Sequence, residues 1–441
     1  MQEKNVRRIA LLLLARREEA GQYTNLTISS AETASLSDSD KRLLTALVYT
    51  TTEQRLRYDY LIGAISKREV SSLEPTVRLI LELGICQILD MNGIPAYAAI
   101  NETVSLGRHK GERSFINGVL REIDRQKDAL PMPKREKNIK RYLSIAYSFP
   151  APLVAHFLSL YGESVTEKLL SFFNTTRYTD ITVNMNKCSP DKLVKLLSEA
   201  LPDMIITKDR DTDMGIRIDG SVNVRPIRGF SDGSFIVQDK ASLVCCEALS
   251  AEPANTVVDV CSAPGGKSFV ASMKVGKSGK VYSFDLHESK LGLISGGAER
   301  LGLNNITVAS RDARTPDSSL LGKADRVICD VPCSGLGVLG KKPDLRYKDL
   351  TALTELPELQ LEILKASSTY LKAGGIITYS TCTLNPLENE EVVKAFLKDN
   401  PDFVTEDFTV GSLSSLDGAL TLRPDLSLTD GFFVARLRKV K

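Results

Sequence analysis

The chain is poor in the residues that most often build metal centres and disulfide scaffolds. It has only three histidines, His109, His156 and His287, and eight cysteines among 441 residues. Cysteines that sparse do not make a disulfide framework, and neither Cys245-Cys246 nor Cys329 and Cys333 has the CxxC spacing of a structural zinc site. No metal is expected, and the cysteines read as reduced, cytosolic thiols. The dinucleotide pattern GxGxxG is missing, and so is a P-loop: Gly266-Lys267-Ser268 imitates its end, but that motif needs glycine where this chain has Cys261. No apolar run is long enough to cross a bilayer. Ile9 to Ala15 leads straight into Arg16-Arg17-Glu18-Glu19 and reads as the buried stripe of a first helix, so no membrane association is expected. A strong charge of one sign is lacking as well. With a net charge of +2, attraction to nucleic acid must come from a local basic surface.

The composition that remains, 42% hydrophobic and 25% charged, is that of a soluble globular protein, and the length suggests two or three folded units. Residues 1–130 read as all-helical, because apolar residues recur at helical spacing in Leu43-Leu44-Leu47-Val48, Val77-Leu79-Ile80-Leu83 and Phe115-Val119-Leu120-Ile123. A basic linker follows at 131–144, where Lys134, Arg135, Lys137, Lys140 and Arg141 face the single acid Glu136. It is either a solvated linker or a strap that contacts phosphates. Residues 145–235 read as a small α+β insert, with helices over Ala151–Phe173 and Pro190–Ala200 and strands near Ile181–Asn184 and Ser234–Gln238.

From 236 to 441 strand and helix signals alternate as in a doubly wound sheet. The short apolar runs Thr256–Val260, Lys280–Asp285, Ile306–Ser310, Asp325–Asp330 and Gly375–Ser380 predict buried parallel strands, and Gly431–Leu437 predicts an antiparallel closing strand. After the first strand comes Cys261-Ser262-Ala263-Pro264-Gly265-Gly266-Lys267, whose glycines let the backbone turn and approach a ligand. Asp285 ends the second strand, where ribose hydroxyls are bound in such folds; Asp312 follows the third, and Asp330 ends the fourth. Acids at three strand ends suit a nucleoside better than a polyphosphate.

Two thiols complete the pattern, Cys333 in Asp330-Val331-Pro332-Cys333 and Cys382 in Ser380-Thr381-Cys382-Thr383. Thiols beside a nucleotide cofactor point to C5 methylation of a pyrimidine. Carbon 5 of cytosine is a poor nucleophile until a thiolate adds to carbon 6 and makes it enamine-like. Spacing does not say which thiol attacks.

Three long motifs, Cys261 to Ser268, Asp330 to Gly337, and Tyr379 to Thr383 with Glu388-Asn389-Glu390, resemble the signatures of the Sun-type family of RNA cytosine-5 methyltransferases. Upstream, Val77 to Gly84, Ala98 to Val104 and Phe115 to Arg121 resemble the NusB-like domain fused to the branch that acts on bacterial 16S ribosomal RNA. The resemblance implies an α/β architecture: a Rossmann-like class I methyltransferase domain that uses S-adenosylmethionine, preceded by an all-α NusB-like domain and the small insert. It makes Cys382 the nucleophile and Cys333 the helper in product release. It assigns the cofactor to Cys261, Ser262, Ala263, Pro264, Gly265, Gly266, Lys267, Asp285, Asp312 and Asp330. Asp330 also faces the cytosine, and Lys267 neutralises a carboxylate, either a protein group or the cofactor's own. The substrate implied is 16S ribosomal RNA, at a loop or single-stranded cytosine; the enzyme is expected to be monomeric and cytoplasmic. The alternatives are the same chemistry on transfer RNA or another ribosomal site, or an RNA-binding protein with a vestigial catalytic domain. The chain departs from the family at the absence of tryptophan, with Tyr347 at one usual position and open to stack on a base, at Gly340-Lys341-Lys342, at Arg177-Tyr178 and at Thr182-Val183-Asn184.

Overall fold

A computed structural model describes residues 5–20, 28, 33, 36–175 and 178–441; Arg177 lies outside them. The chain forms two compact units, one of residues 1–174 with 339–350, the other of 175–338 with 351–441.

The first unit is helical: α1 Val6–Ala20, α2 Asp38–Ser66, α3 Pro75–Leu89, α4 Ala96–Val104, α5 Lys110–Arg125, α6 Ile139–Ala146 and α7 Ala151–Thr175. Local chemistry sets its helix starts. The Ser37 hydroxyl accepts from the Asp40 amide at 3.1 Å, Pro75 opens α3 behind a Glu74 cap, and Asn138 caps α6 through the Arg141 amide at 2.9 Å. The apolar stripes of α1 to α5 close on one core that contains Leu13, Leu44, Leu47, Ile80, Leu83, Ile116 and Leu120. In the basic linker Arg135 is tied to Glu163 at 2.6 Å and Glu167 at 2.7 Å, while Lys134, Lys137, Lys140 and Arg141 are exposed.

Segment 339–350 belongs to this unit although it follows the Pro-Cys motif in sequence. Arg346 is fully buried over the Phe149 ring and donates to the carbonyls of Glu53 at 3.2 Å and Phe173 at 3.4 Å. Tyr347 donates to the Thr52 carbonyl at 3.1 Å and lies under Arg17, so this ring is committed to packing and is not open to stack on a base.

The second unit opens with a four-stranded antiparallel sheet, ordered β2-β3-β1-β4, from β1 Tyr178–Val183, β2 Ile206–Lys208, β3 Gly215–Asp219 and β4 Phe235–Val237. Helix α8 Pro190–Ala200 packs Leu193 and Leu197 into its core; α9 Arg228–Ser231 and α10 Lys240–Ala248 lead on. The larger sheet holds β5 Thr256–Asp259, β6 Lys280–Asp285, β7 Ile306–Ser310, β8 Ala324–Asp330, β9 Leu371–Thr381, β10 Phe403–Thr405, β13 Ala419–Leu422 and β14 Phe432–Lys439; a separate pair is β11 Thr409–Val410 and β12 Leu413–Ser414. The helices between are α11 Gly266–Val275, α12 Glu288–Leu301, α13 Leu356–Ser368, α14 Glu390–Asp399 and the short α15 Pro424–Ser427.

The strand order is β10-β14-β9-β8-β5-β6-β7, with β13 beside β14. Strands β5 to β9 are parallel and β14 is antiparallel to β9, as the apolar runs predict. The direction of strand order reverses at β5, between β6 and β8. In open α/β sheets ligands bind outside the carboxyl ends of the strands at such switch points.

Candidate active site

The loop after β5 is built around Gly265, whose φ of 113° is in the left-handed region; a Cβ there would lie 2.4 Å from the Phe269 ring. The Gly265 amide closes the turn onto the Ser262 carbonyl at 2.7 Å, and Ser262 donates backbone and hydroxyl hydrogens to the Phe284 carbonyl at 2.8 and 2.9 Å. Cys261 is half-buried, and burial pushes its thiol well above the ordinary value. Asp285, at the end of β6, accepts from the Ala263 amide at 3.1 Å and the His287 amide at 3.0 Å, so the second acid is joined to the glycine loop.

Asp312 stands apart from these. It follows β7, the edge strand, and pairs with Arg314 at 2.7 Å, whose hydrogen bonds hold its carboxyl below the usual range. The set of acceptors spread over β6 and β7, with a loop no side chain can fill at Gly265, suits the hydroxyl and amino donors of a nucleoside. Among the described residues no group of three or more His, Cys, Asp or Glu side chains is placed to hold a metal ion, and no single helix is long and apolar enough to cross a membrane.

Lys267, the last residue of the motif, turns to Asp330: its ammonium donates to Asp330 Oδ2 at 2.6 Å. The carboxylate that Lys267 neutralises is thus a protein group. Burial works against its charge, yet Asp330, with Cys245 and Cys246 nearby, holds the Lys267 pKa above the ordinary lysine value. The second oxygen of Asp330 accepts from the Ser380 hydroxyl at 2.7 Å. Ser380 is the register partner of Asp330 across the parallel pair β8–β9, so sheet register fixes this contact.

The same register brings the two thiols together. Cys333 and Cys382, three and two residues beyond the Asp330–Ser380 pair, have Sγ atoms 3.3 Å apart, and both are half-buried. The hydrogen bond with Cys382 and then burial push the Cys333 thiol well above the ordinary value, with Cys382 and Glu388 adding in the same direction. Behind them the Gly337 amide donates to the Cys382 carbonyl at 3.0 Å and the Gly431 amide to the Gly337 carbonyl at 2.8 Å. Any Cβ on Gly337 would overlap the Gly431 backbone.

Three residues with no role assigned from the sequence also belong here. Asp259 ends β5 and is buried; its Oδ2 accepts from Ser268 at 2.7 Å while Oδ1 has no partner among the described residues, and burial raises its pKa to about 7. An acid at a strand end was the signal that found Asp285 and Asp330, and it applies to Asp259 equally. Ser380 becomes visible only through the register. Glu388 lies in a quoted motif, but nothing local shows that its carboxylate faces the thiol turns.

Comparison with known proteins agrees with this architecture. The family described as 16S rRNA methyltransferase RsmB/F matches residues 246–438, and the NusB family matches residues 4–125. The chain is 34% identical to a Synechocystis sp. protein named "Probable ribosomal RNA small subunit methyltransferase B", over 99% of each chain. It is 33% identical to the Bacillus subtilis protein of the same name, over 100% of each. The "Ribosomal RNA small subunit methyltransferase B" of Escherichia coli O127:H6 is 30% identical over 99% of each. Among solved structures, one described as "Crystal Structure of PH0851" aligns with a TM-score of 0.81 and 25% identity over 99% of this chain and 98% of that one. Another, NSun6 from Pyrococcus horikoshii with SFG, shares the fold at a TM-score of 0.61 and 21% identity, over 67% of this chain and 99% of that one.

Proposed function

The chain belongs to the ribosomal RNA small subunit methyltransferase B family, and from that premise we propose that it methylates C5 of a cytosine in 16S ribosomal RNA through a covalent adduct between Cys382 and C6 of the base. The observation that carries this reading is the pair of sulfurs 3.3 Å apart, beside Asp330 and at the ends of adjacent parallel strands. Two thiols that close cannot both hold a charge, and the influences on Cys333 favour its keeping the proton. The family resemblance makes Cys382 the one to act as thiolate, in keeping with the direction in which Cys333 is pushed.

The residues divide the work as follows. Cys382 adds to C6, its electron pair forming the S–C bond while C5 becomes nucleophilic. S-adenosylmethionine, held by residues 261–267, Asp285 and Asp312, supplies the methyl group. Asp330, oriented by Lys267 and Ser380, accepts a hydrogen bond from the cytosine amino group or protonated ring nitrogen and so favours addition. Loss of the C5 proton to water then re-forms the C5–C6 double bond and expels Cys382 as thiolate. Cys333, a protonated thiol in contact with the leaving sulfur, assists that expulsion.

The helical segment 1–130, the exposed Lys134, Lys137, Lys140 and Arg141 of the basic linker, and the insert 145–235 grip the folded RNA; domain 236–441 receives one cytosine from a loop or single strand. The enzyme works as a cytoplasmic monomer.

The test is methyl transfer from labelled S-adenosylmethionine to unmodified 16S RNA and to transfer RNA, with adducts resolved on a denaturing gel. Methylated 16S RNA with wild type, a loss of at least about 10³-fold with Cys382→Ala, and a trapped complex with Cys333→Ala are the expected results. Trapping with Cys382→Ala instead would exchange the thiol roles. Labelled transfer RNA would keep the chemistry and overturn the substrate.

A further inference from the structure

Glu388 is fully buried, yet no cation is among the partners of its carboxylate. Four neutral donors surround it. Oε2 accepts from the Ser334 amide at 2.8 Å and Gln360 Nε2 at 3.0 Å; Oε1 accepts from the Ser334 hydroxyl at 2.6 Å and Asn385 Nδ2 at 3.0 Å. Gln360 also donates to the Pro332 carbonyl at 3.0 Å, and Tyr379 donates to the Glu388 carbonyl at 2.6 Å. All four hydrogens on the carboxylate point inward, and two donors per oxygen saturate it.

The donors come from both cysteine turns. Ser334 follows Cys333, and Thr383 follows Cys382; their hydroxyl oxygens are 2.7 Å apart. Since the Ser334 proton goes to Glu388, Thr383 must donate to Ser334. The result is a one-way chain from Thr383 to Ser334 to Glu388 that ties one turn to the other.

We propose that Glu388 is a positioning residue for the thiol pair: its carboxylate locks the turn 332–334 to the turn 383–385, so that Cys333 is held against Cys382 as the proton-bearing partner during release of the product. A carboxylate suits this role where an amide does not. A glutamine would turn an NH2 group toward two donors and break the chain. An uncompensated negative charge also disfavours ionisation of Cys333, which faces Cys382, Glu388 and Tyr379. The proposal rests on the covalent reading above.

The experiment compares the full-length wild type with Glu388→Gln, Thr383→Val and Cys333→Ala. Melting curves, kcat and KM for 16S RNA and S-adenosylmethionine, and adducts on denaturing gels are measured together. In a separate arm without RNA, alkylation of Cys333 by iodoacetamide is followed by peptide mass spectrometry from pH 6 to pH 10. With Glu388→Gln, kcat is expected to fall about 10²-fold, as for a misplaced catalytic group, with KM changed less than about threefold. The RNA adduct should accumulate as it does with Cys333→Ala, and half-alkylation of Cys333 should move toward lower pH. Wild-type kcat and an unmoved alkylation profile in Glu388→Gln would overturn the proposal. Should that variant fail to melt cooperatively, Thr383→Val decides: it keeps the charge and cuts the chain, so kcat should fall about tenfold with the Cys333 profile unmoved, and an unchanged kcat overturns the proposal. If Cys333→Ala itself traps nothing, the covalent reading fails, while the alkylation arm still reports on Glu388.

Discussion

Asp330, three residues before Cys333, and Glu388, hydrogen-bonded to Ser334 next to Cys333, are carboxylates near the same thiol pair, and they are neutralised in different ways. Asp330 has the Lys267 ammonium on one oxygen and the Ser380 hydroxyl on the other, and it keeps contact with solvent. Glu388 is wholly buried and, among the described residues, has only neutral donors. An ion pair with a net charge near zero burdens its neighbours little, which suits a group that must meet a base and a cationic cofactor. A charge held by dipoles alone still exerts its field, which adds to the hydrogen bond from Cys382 and to burial in pushing the Cys333 thiol up. Asp259 marks the far end of this range, with the Ser268 hydroxyl on one oxygen and no side-chain or backbone partner for Oδ1 among the described residues.

That third carboxylate gives the largest effect. Burial raises the Asp259 pKa from its ordinary 3.8 to about 7, so the folded state binds the proton more tightly than the unfolded chain. The stability this contributes is complete below about pH 4 and is lost as pH rises toward 7. For Asp259→Asn, the decline in unfolding free energy between pH 4 and pH 8 is expected to shrink by up to about 4 kcal/mol relative to wild type, in urea titrations at each pH. Parallel curves for the two proteins would mean that Asp259 is ionised without penalty, and the ranking of the three carboxylates would collapse.

Lys267→Met breaks the compensated pair. An unpaired Asp330 should cost about 3 kcal/mol of stability, the lower part of the range for buried pairs because Asp330 is 28% exposed. Adding Asp330→Asn should restore most of that loss. A double variant no more stable than Lys267→Met would show that the lysine acts by packing on Phe432, over whose ring its ammonium sits at 5.1 Å.

How far these groups can be seen in the sequence depends on how far their contacts reach along the chain. Strands β5 and β6, the glycine loop and Asp285 were legible, because buried parallel strands are continuous apolar runs and the loop begins two residues after β5. Strand β7 forms as a parallel strand but at the edge, with no residue fully buried, contrary to the expected buried strand. The short strands β2, β3 and β10 to β13 were not, since two to five residues carry too little periodicity. Glu388, Gln360 and Ser334 converge from positions 28 and 54 residues apart, a meeting that register and packing decide. Tyr347 misled for the same reason: its position beyond the Pro-Cys motif suggested a base-stacking ring, but segment 339–350 folds with the helical unit.

Ser380 is the smallest and finest probe of the contrast. It is fully buried, but the carboxylate it serves retains its lysine and some access to water, so Ser380→Ala removes one hydrogen bond without stranding a charge. A loss of about 1 kcal/mol of stability follows, with a comparable fall of up to about tenfold in kcat if the hydroxyl also aims Asp330 at the base. The two readouts separate the functions. Stability lost with kcat unchanged would make Ser380 a strand-pairing residue only, and orientation of Asp330 would fall to Lys267 alone. A fall in kcat with KM unchanged would place the hydroxyl among the groups that act in the transition state, at the carboxylate where an ion pair, and not a shell of neutral donors, sets the geometry.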